Sequence, residues 1–325
     1  MVNVLLLLTA KHRLISTAVI LDVLDTVNVF HEQENGSPFF DISIAALPGD
    51  LSAASLYKKY RRIAADERPR TSLLLIPAFE STDIHEALRE NRHFVPFIRD
   101  FQQQGTEIAS FCTGAFLLAE TGLLNGRRAT THVQMCRPFS ALFPRVQLDP
   151  GAVITDQEGI YTGGGATSTF HLLIYLIEKY CGRQMAVKAA KFFAIDLDRI
   201  GQSYFGVIQP ERAHGDELVM ALQDKIEETF SRSLVTIEDM TGSLPSCKRN
   251  LLRRFKKALN MTPIEYLQRT RIEAARQMLE NRNEGIADVM FRCGYSDPKT
   301  FRKLFKRNTG LTPKAYRDKY NRASA

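Results

Sequence analysis

Apolar and polar positions change their period partway along the chain. From Val2 to about Ile195, short and nearly continuous apolar runs such as VNVLLLL, SLLLIP and EIASF alternate with longer amphipathic stretches such as STAVILDVLDTVNVF and TGAFLLAETG. Runs of the first kind suit parallel strands buried on both faces, and the second kind suits the helices that cover them. The predicted architecture is α/β, a doubly wound, flavodoxin-like three-layer sandwich. The glycine-bearing stretches CTGA and TGGGAT follow strand candidates, where such folds place their sites. The stretch IGQSYFGVIQPERAHGDE then loses all periodicity. The chain is expected to divide into an α/β domain at 1–199, a linker at 200–216 and an all-α domain at 217–325.

The second domain reads as helices throughout. DELVMALQDKIEETF is amphipathic; TIEDMTGSL follows with Thr236 as its N-cap, then a basic helix from about Ser246 to Leu259. TPIEYLQRTRIEAARQMLEN predicts one long helix capped by Thr262 with Pro263 at its first position. A short helix around Ile286, Ala287, Val289 and Met290, a turn at Gly294 and a helix capped by Asp297 complete the pattern. Within it lies a repeat: FKKALNMTPIEY from Phe255 returns as FKRNTGLTPKAY from Phe305, so that Phe, Lys, Thr, Pro and Tyr recur at one offset.

Each copy puts apolar residues on one helix face and basic residues on the other. Leu251, Leu252, Phe255 and Leu259 anchor the first, leaving Arg249, Asn250, Arg253 and Lys256 outward. Phe301, Leu304 and Phe305 anchor the second, leaving Lys299, Arg302, Lys303, Lys306 and Arg307 outward. One basic helix face is ordinarily a solvated surface. Two equivalent faces, each behind a short helix and a turn and joined by a helix of about 16 residues spanning about 24 Å, suit successive major grooves of double-stranded DNA. Arg249, Asn250, Arg253, Lys299, Arg302 and Lys303 are the expected groove contacts. Lys256, Lys306 and Arg307 are expected on phosphates.

Charge sharpens this division. Pro245 to Ala325 holds 20 Lys plus Arg against 7 Asp plus Glu, whereas the residues before it hold 23 against 29, a split hidden in the overall +7. The run VNVLLLLTA is too short to cross a bilayer, which takes about 20 residues, and it lacks a basic leader and a cleavage site. The five cysteines, Cys112, Cys136, Cys181, Cys247 and Cys293, include no CxxC pair, against a disulfide framework or thiolate metal site. The expectation is a cytoplasmic protein with no membrane span, metal or cofactor.

At these residues the C-terminal block resembles the AraC family of transcription regulators, in which two helix-turn-helix units are bridged by a long helix. The resemblance runs from about Glu217 to Arg317 and is strongest in IADVMFRCGYSDPKTFRKLFKRNTGLTPKAYR. SLPSCKRNL departs from it, with Leu244, Pro245 and Cys247 in place of small or polar residues. The resemblance implies a sequence-specific DNA-binding regulator, a homodimer formed through the other domain, and contact with RNA polymerase.

The N-terminal half is similar to the ThiJ/PfpI-like branch of the glutamine-amidotransferase-like superfamily, on EIASFCTGAFLLAETGLLNGRRATTHV. A PfpI-like domain ahead of an AraC-type one is the layout of GlxA-like regulators. By this resemblance Cys112 sits on a sharp strand-to-helix turn with His132 near it, and a helix N-terminus beside an imidazole would favour the thiolate. A cysteine-dependent hydrolase or amidase is the alternative function. Against it, enzymatic relatives carry a glutamate where this chain has Thr17, and Asp22 and Asp25 lie on other faces or further along the helix. The resemblance implies instead a small-molecule effector lined by Cys112, Thr113, His132, Gly164 and Thr17. TGGGATS reads as a tight turn capped by Ser168 or Thr169 rather than a phosphate cradle. His171, Tyr161 and Phe111 read as packed.

Overall fold

The computed structural model describes residues 1–46, 57–64, 67–80, 82–165, 167–196, 214–233, 236–242, 244–259, 261–281 and 284–321. The chain divides into two compact units, Met1–Ser203 and Tyr204–Ala325. Most of the expected linker, 200–213, lies outside the described residues.

In the first unit the strands and helices follow one another as β1 (Val2–Leu8), α1 (Leu14–Asn35), β2 (Phe40–Ala46), β3 (Arg61–Ile63), β4 (Leu73–Ile76), α2 (Ile84–Asn91), α3 (Phe94–Gln103) and β5 (Glu107–Phe111). Then come α4 (Gly114–Glu120), β6 (Arg128–Ala129), α5 (Cys136–Leu142), β7 (Gln147–Leu148), β8 (Ile154–Gln157), β9 (Ile160–Gly163), α6 (Ser168–Cys181) and α7 (Arg183–Phe192). Seven described strands form one sheet in the order β3-β2-β1-β4-β5-β9-β8, parallel except for the β8–β9 hairpin. Glu158 and Gly159 turn that hairpin with φ of 54° and 82°, as a two-residue loop of the mirror-image type requires.

Strand periodicity explains the unbroken leucines of β1. Val4, Leu6 and Leu8 enter the layer built with α1, α6 and α7, while Leu5 and Leu7 enter the one built with α2, α3 and α4. Both faces are dry, so no polar alternation survives. By length and composition α1 could cross a membrane; here Ile20, Leu21, Val23, Leu24 and Val27 are core residues of the first layer.

The chain leaves β1 toward one face of the sheet and leaves neighbouring β4 toward the other, so a crevice opens at their carboxyl ends. Gly114 packs α4 against that edge. A Cβ there would lie 2.6 Å from the Ile76 carbonyl oxygen and 2.7 Å from that of Pro77. Gly114→Ala is therefore expected to cost about 1–3 kcal/mol by overpacking, read as a lower denaturant midpoint.

The second unit is built from α8 (Glu217–Thr229), α9 (Ile237–Thr241), α10 (Lys248–Leu259), α11 (Pro263–Asn281), α12 (Ile286–Arg292), α13 (Pro298–Thr309) and α14 (Pro313–Tyr320). It holds two separate cores. Leu222, Ile226, Leu251, Phe255 and Tyr266 belong to the first; Ile272, Leu279, Val289, Phe301, Phe305 and Tyr316 belong to the second. Among the described residues only α11 contributes to both, giving Tyr266 and Leu267 to one and Ile272, Ala275 and Leu279 to the other.

The caps follow the expected residues. Thr236 and Asp239 close a capping box on α9, and Thr262 and Glu265 exchange the same bonds at the start of α11. Gly294 takes φ 77° in the turn before α13. Three details differ from expectation. At 19 residues, α11 extends about 28 Å because helical periodicity continues to Asn281. The basic helix starts at Lys248, since Cys247 already accepts the first helical bond from Leu251 N. Thr167 stands at the N-cap of α6 with no capping bond from its side chain, and Ser168 is the first helical residue.

Candidate nucleic-acid interface and cysteine turn

In each half of the second unit a short helix, a turn and a basic helix follow in order, with the basic helix pinned by phenylalanine. Phe255 on α10 stacks edge-on against Tyr266, and Phe305 on α13 does the same against Tyr316. These pairs fix which face of each helix meets solvent.

On α10, Arg249, Arg253 and Lys256 are exposed and Asn250 is half-buried. Asn250 donates to Ser246 Oγ and accepts from Arg253 Nη2, each at 3.1 Å, so the two side chains form one polar arm. Arg254, unremarked in the sequence, turns the other way. Its Nε and Nη2 each donate over 2.8 Å to Asp216, and this guanidinium holds the Asp216 carboxyl below the usual carboxylate range. Asp216 also accepts from Val219 N at the start of α8, so a single carboxylate caps α8 and ties it to α10.

On α13, Lys299, Arg302, Lys303, Lys306 and Arg307 are all exposed, and among the described residues no carboxylate pairs with them. Asp297 accepts from the amides of Lys299 and Thr300. The corresponding position before α10 is Cys247, which offers no carboxylate to its helix.

A groove of about 910 Å³ lies between the two basic helices, above the N-terminal half of α11. From α10 it is lined by Lys248, Leu252, Arg253 and Lys256, and from α13 and its cap by Asp297, Thr300 and Leu304. In the numbering of the first copy the latter three correspond to 247, 250 and 254. At about 100° per residue these fall on the opposite flank of the helix. The two copies thus present different flanks to the groove, so they are related head-to-tail and not by a two-fold axis.

In the first unit Cys112 occupies the turn between β5 and α4 with φ 55°, a left-handed conformation unusual outside glycine. Its amide donates to the Gly163 carbonyl, and its own carbonyl accepts from Thr131 Oγ1 over 2.9 Å. Thr113 uses its hydroxyl on Phe79, accepting from its amide and donating to its carbonyl at 2.9 and 2.7 Å. The loops after β4 and β5 are therefore laced together beneath the cysteine.

Cys112 is 5% exposed, and burial pushes its thiol pKa up to about 11. At neutral pH the thiol is therefore held in its protonated form. The effect expected of a helix N-terminus and an imidazole is thus outweighed by desolvation. His132 shares no hydrogen bond with Cys112 among the described residues. Its Nδ1 accepts from Gln134 N, and burial, aided by the Arg13 cation, holds its pKa below the usual imidazole value. Alkylation of the native protein near pH 7 should mark exposed Cys247 and spare Cys112, with labelling of Cys112 rising only as pH approaches about 11. Peptide mapping reads both sites in one sample.

Thr17 is fully buried. Its hydroxyl donates to the Leu14 carbonyl and bonds Tyr57 Oη at 2.9 Å, and Tyr57 Oη lies 3.3 Å from His12 Nε2. Thr17 thus belongs to a chain of hydroxyls that runs through Tyr57 to His12. Gly164 is buried with its amide given to the Val153 carbonyl, which ties the glycine stretch to the segment before β8. His171 sits between the carbonyls of Thr167 and Asp196, and Tyr161 and Phe111 are fully buried. Arg13, overlooked in the sequence, acts electrostatically on both Cys112 and His132. Arg13→Gln should raise the pKa of His132, measured by titrating its imidazole resonances.

Two family models match the chain: the DJ-1/PfpI family over residues 82–179 and a helix-turn-helix domain over 247–319. The HTH-type transcriptional regulator GbdR of Pseudomonas aeruginosa is 25% identical over 231 residues, covering 69% of this chain and 60% of that protein. The HTH-type transcriptional regulator GlxA of Rhizobium meliloti is 24% identical over 229 residues, covering 68% of each. Over 102 residues, 30% of this chain and 37% of the relative, identity to the HTH-type transcriptional activator RhaR of Mannheimia succiniciproducens reaches 33%. The chain thus carries a DJ-1/PfpI-family α/β domain followed by an AraC-type helix-turn-helix domain.

Proposed function

We propose that this protein is a sequence-specific transcription regulator whose second unit reads double-stranded DNA and whose first unit answers a small molecule or supports self-association. The observation that carries the reading is the pair of exposed basic helices, α10 and α13, each anchored by a buried phenylalanine at opposite ends of α11. Arg249, Asn250, Arg253, Lys299, Arg302 and Lys303 are assigned to the grooves, and Lys256, Lys306 and Arg307 to phosphates. The relatives are named as regulators, and the same role is assigned here. A homodimer, contact with RNA polymerase and a cytoplasmic location belong to the same proposal.

For the first unit we assign Cys112, Thr113, His132, Gly164 and Thr17 to an effector site rather than to catalysis. The protonated thiol and the absence of a carboxylate at Thr17 support this choice over a hydrolase or amidase.

The test is to bind the full-length protein to a genomic fragment library at physiological salt, then sequence and rebind the recovered sites. A shared motif with two elements about ten base pairs apart, lost on Arg253→Ala or Lys303→Ala, is the expected result. Salt-sensitive retention of every fragment alike would overturn the reading.

A further inference from the structure

The groove between α10 and α13 is more apolar than phosphate recognition requires. Leu252, Pro263, Ile264, Leu267, Tyr295 and Leu304 all line it, and Ile264 is 53% exposed. A single exposed isoleucine is ordinary. Flanked by the half-buried Leu252 and Leu304 over buried Pro263, Leu267 and Tyr295, in a cavity of about 910 Å³, it forms an apolar floor of ligand size.

Its rim is cationic. Lys248, Arg253, Lys256 and Arg271 face two carboxylates, Glu238 and Asp297, and both carboxylates are already engaged. Glu238 pairs with Lys248, and Asp297 caps α13. Arg271 donates to the carbonyls of Phe230 and Arg232. Arg253 and Lys256 remain, about one turn apart on α10.

We propose that this groove binds an amphipathic organic anion, a single acid group on an apolar body, and that its occupancy excludes DNA. Such a molecule satisfies the apolar floor and the cationic rim together. A phosphodiester strand, charged at every nucleotide, leaves the exposed Ile264 against polar surface. The site is separate from the one assigned near Cys112. Its existence is independent of the DNA reading; only the exclusion rests on that reading.

Anilinonaphthalene sulfonate, which has this chemistry and reports by fluorescence, is the probe to titrate into the full chain. Ile264→Gln, a change at an exposed position, should weaken the probe about tenfold while leaving duplex affinity within about twofold. Ile15→Gln, at the 62% exposed isoleucine of α1, should leave both unchanged. Probe at ten times its own Kd should lower apparent duplex affinity about tenfold, and excess duplex should release it. Unchanged probe affinity in Ile264→Gln would overturn the site. Probe and duplex bound together without mutual effect would overturn the exclusion. Loss of duplex affinity in Ile264→Gln with no probe binding would assign the groove to the phosphate backbone alone. If no duplex binds at all, the regulator reading fails, and the probe titration of Ile264→Gln still decides the site.

Discussion

Lys303→Ala is expected to relax base preference at one position of the operator, whereas Lys306→Ala should weaken every sequence alike. Both side chains are exposed on α13 without a carboxylate partner among the described residues. Lys303 lies in the second turn and repeats as Arg253 on α10; Lys306 lies one turn further on and repeats as Lys256. A helix entering the major groove presents its early turns to base edges and its later turns to the strand beside them. Loss of a base contact costs about 1–3 kcal/mol, a factor of about 5 to 150 at the position read. Loss of a phosphate contact instead lowers the slope of log affinity against log salt by about one. Binding to the selected site and to single-base variants of it, at several salt concentrations, separates the two. Equal losses on all sequences for both variants would refute the division.

Phe305→Ala is expected to be the most damaging single change in the second unit, at about 3–5 kcal/mol. Phe305 is fully buried and contacts the rings of Phe301 and Tyr316 at 5.7 and 5.4 Å. Tyr316 in turn donates to Glu280 and accepts from Arg276 Nε, so the cavity would loosen α14 from α11 as well. The core around Phe255 shares none of these residues. Affinity for the two-element site should therefore fall to that of one element, with α10 still reading. Footprints of wild type and variant on one operator would show the lost half; an intact footprint would contradict the separation of the cores.

The parts of this fold that were legible in the sequence are those whose cause is local. The leucines of β1, the Thr236 and Asp297 caps and the repeated Phe255 and Phe305 faces all depend on neighbours within a few residues. β3 is only Arg61–Ile63 at the sheet edge, too short and polar to carry a period. The Asp216–Arg254 pair, which positions α10, joins residues 38 apart. Nothing in the spacing of either announces the other. The strained turn at Cys112 was legible only by resemblance, since residue types do not encode φ. Arg13 was missed because its influence on Cys112 crosses from the loop after β1 to the loop after β5, a proximity that the sheet order creates.

The head-to-tail relation of α10 and α13 gives the operator an arrow. Two reading heads joined by a dyad would see a palindrome and could not distinguish one strand from its complement. Heads repeated in tandem along α11 see an ordered pair of unlike words, since α10 offers Arg249, Asn250 and Arg253 where α13 offers Lys299, Thr300 and Lys303. Inverting the two-element site read by one protomer should therefore preserve affinity while reversing the direction in which that protomer faces along the DNA.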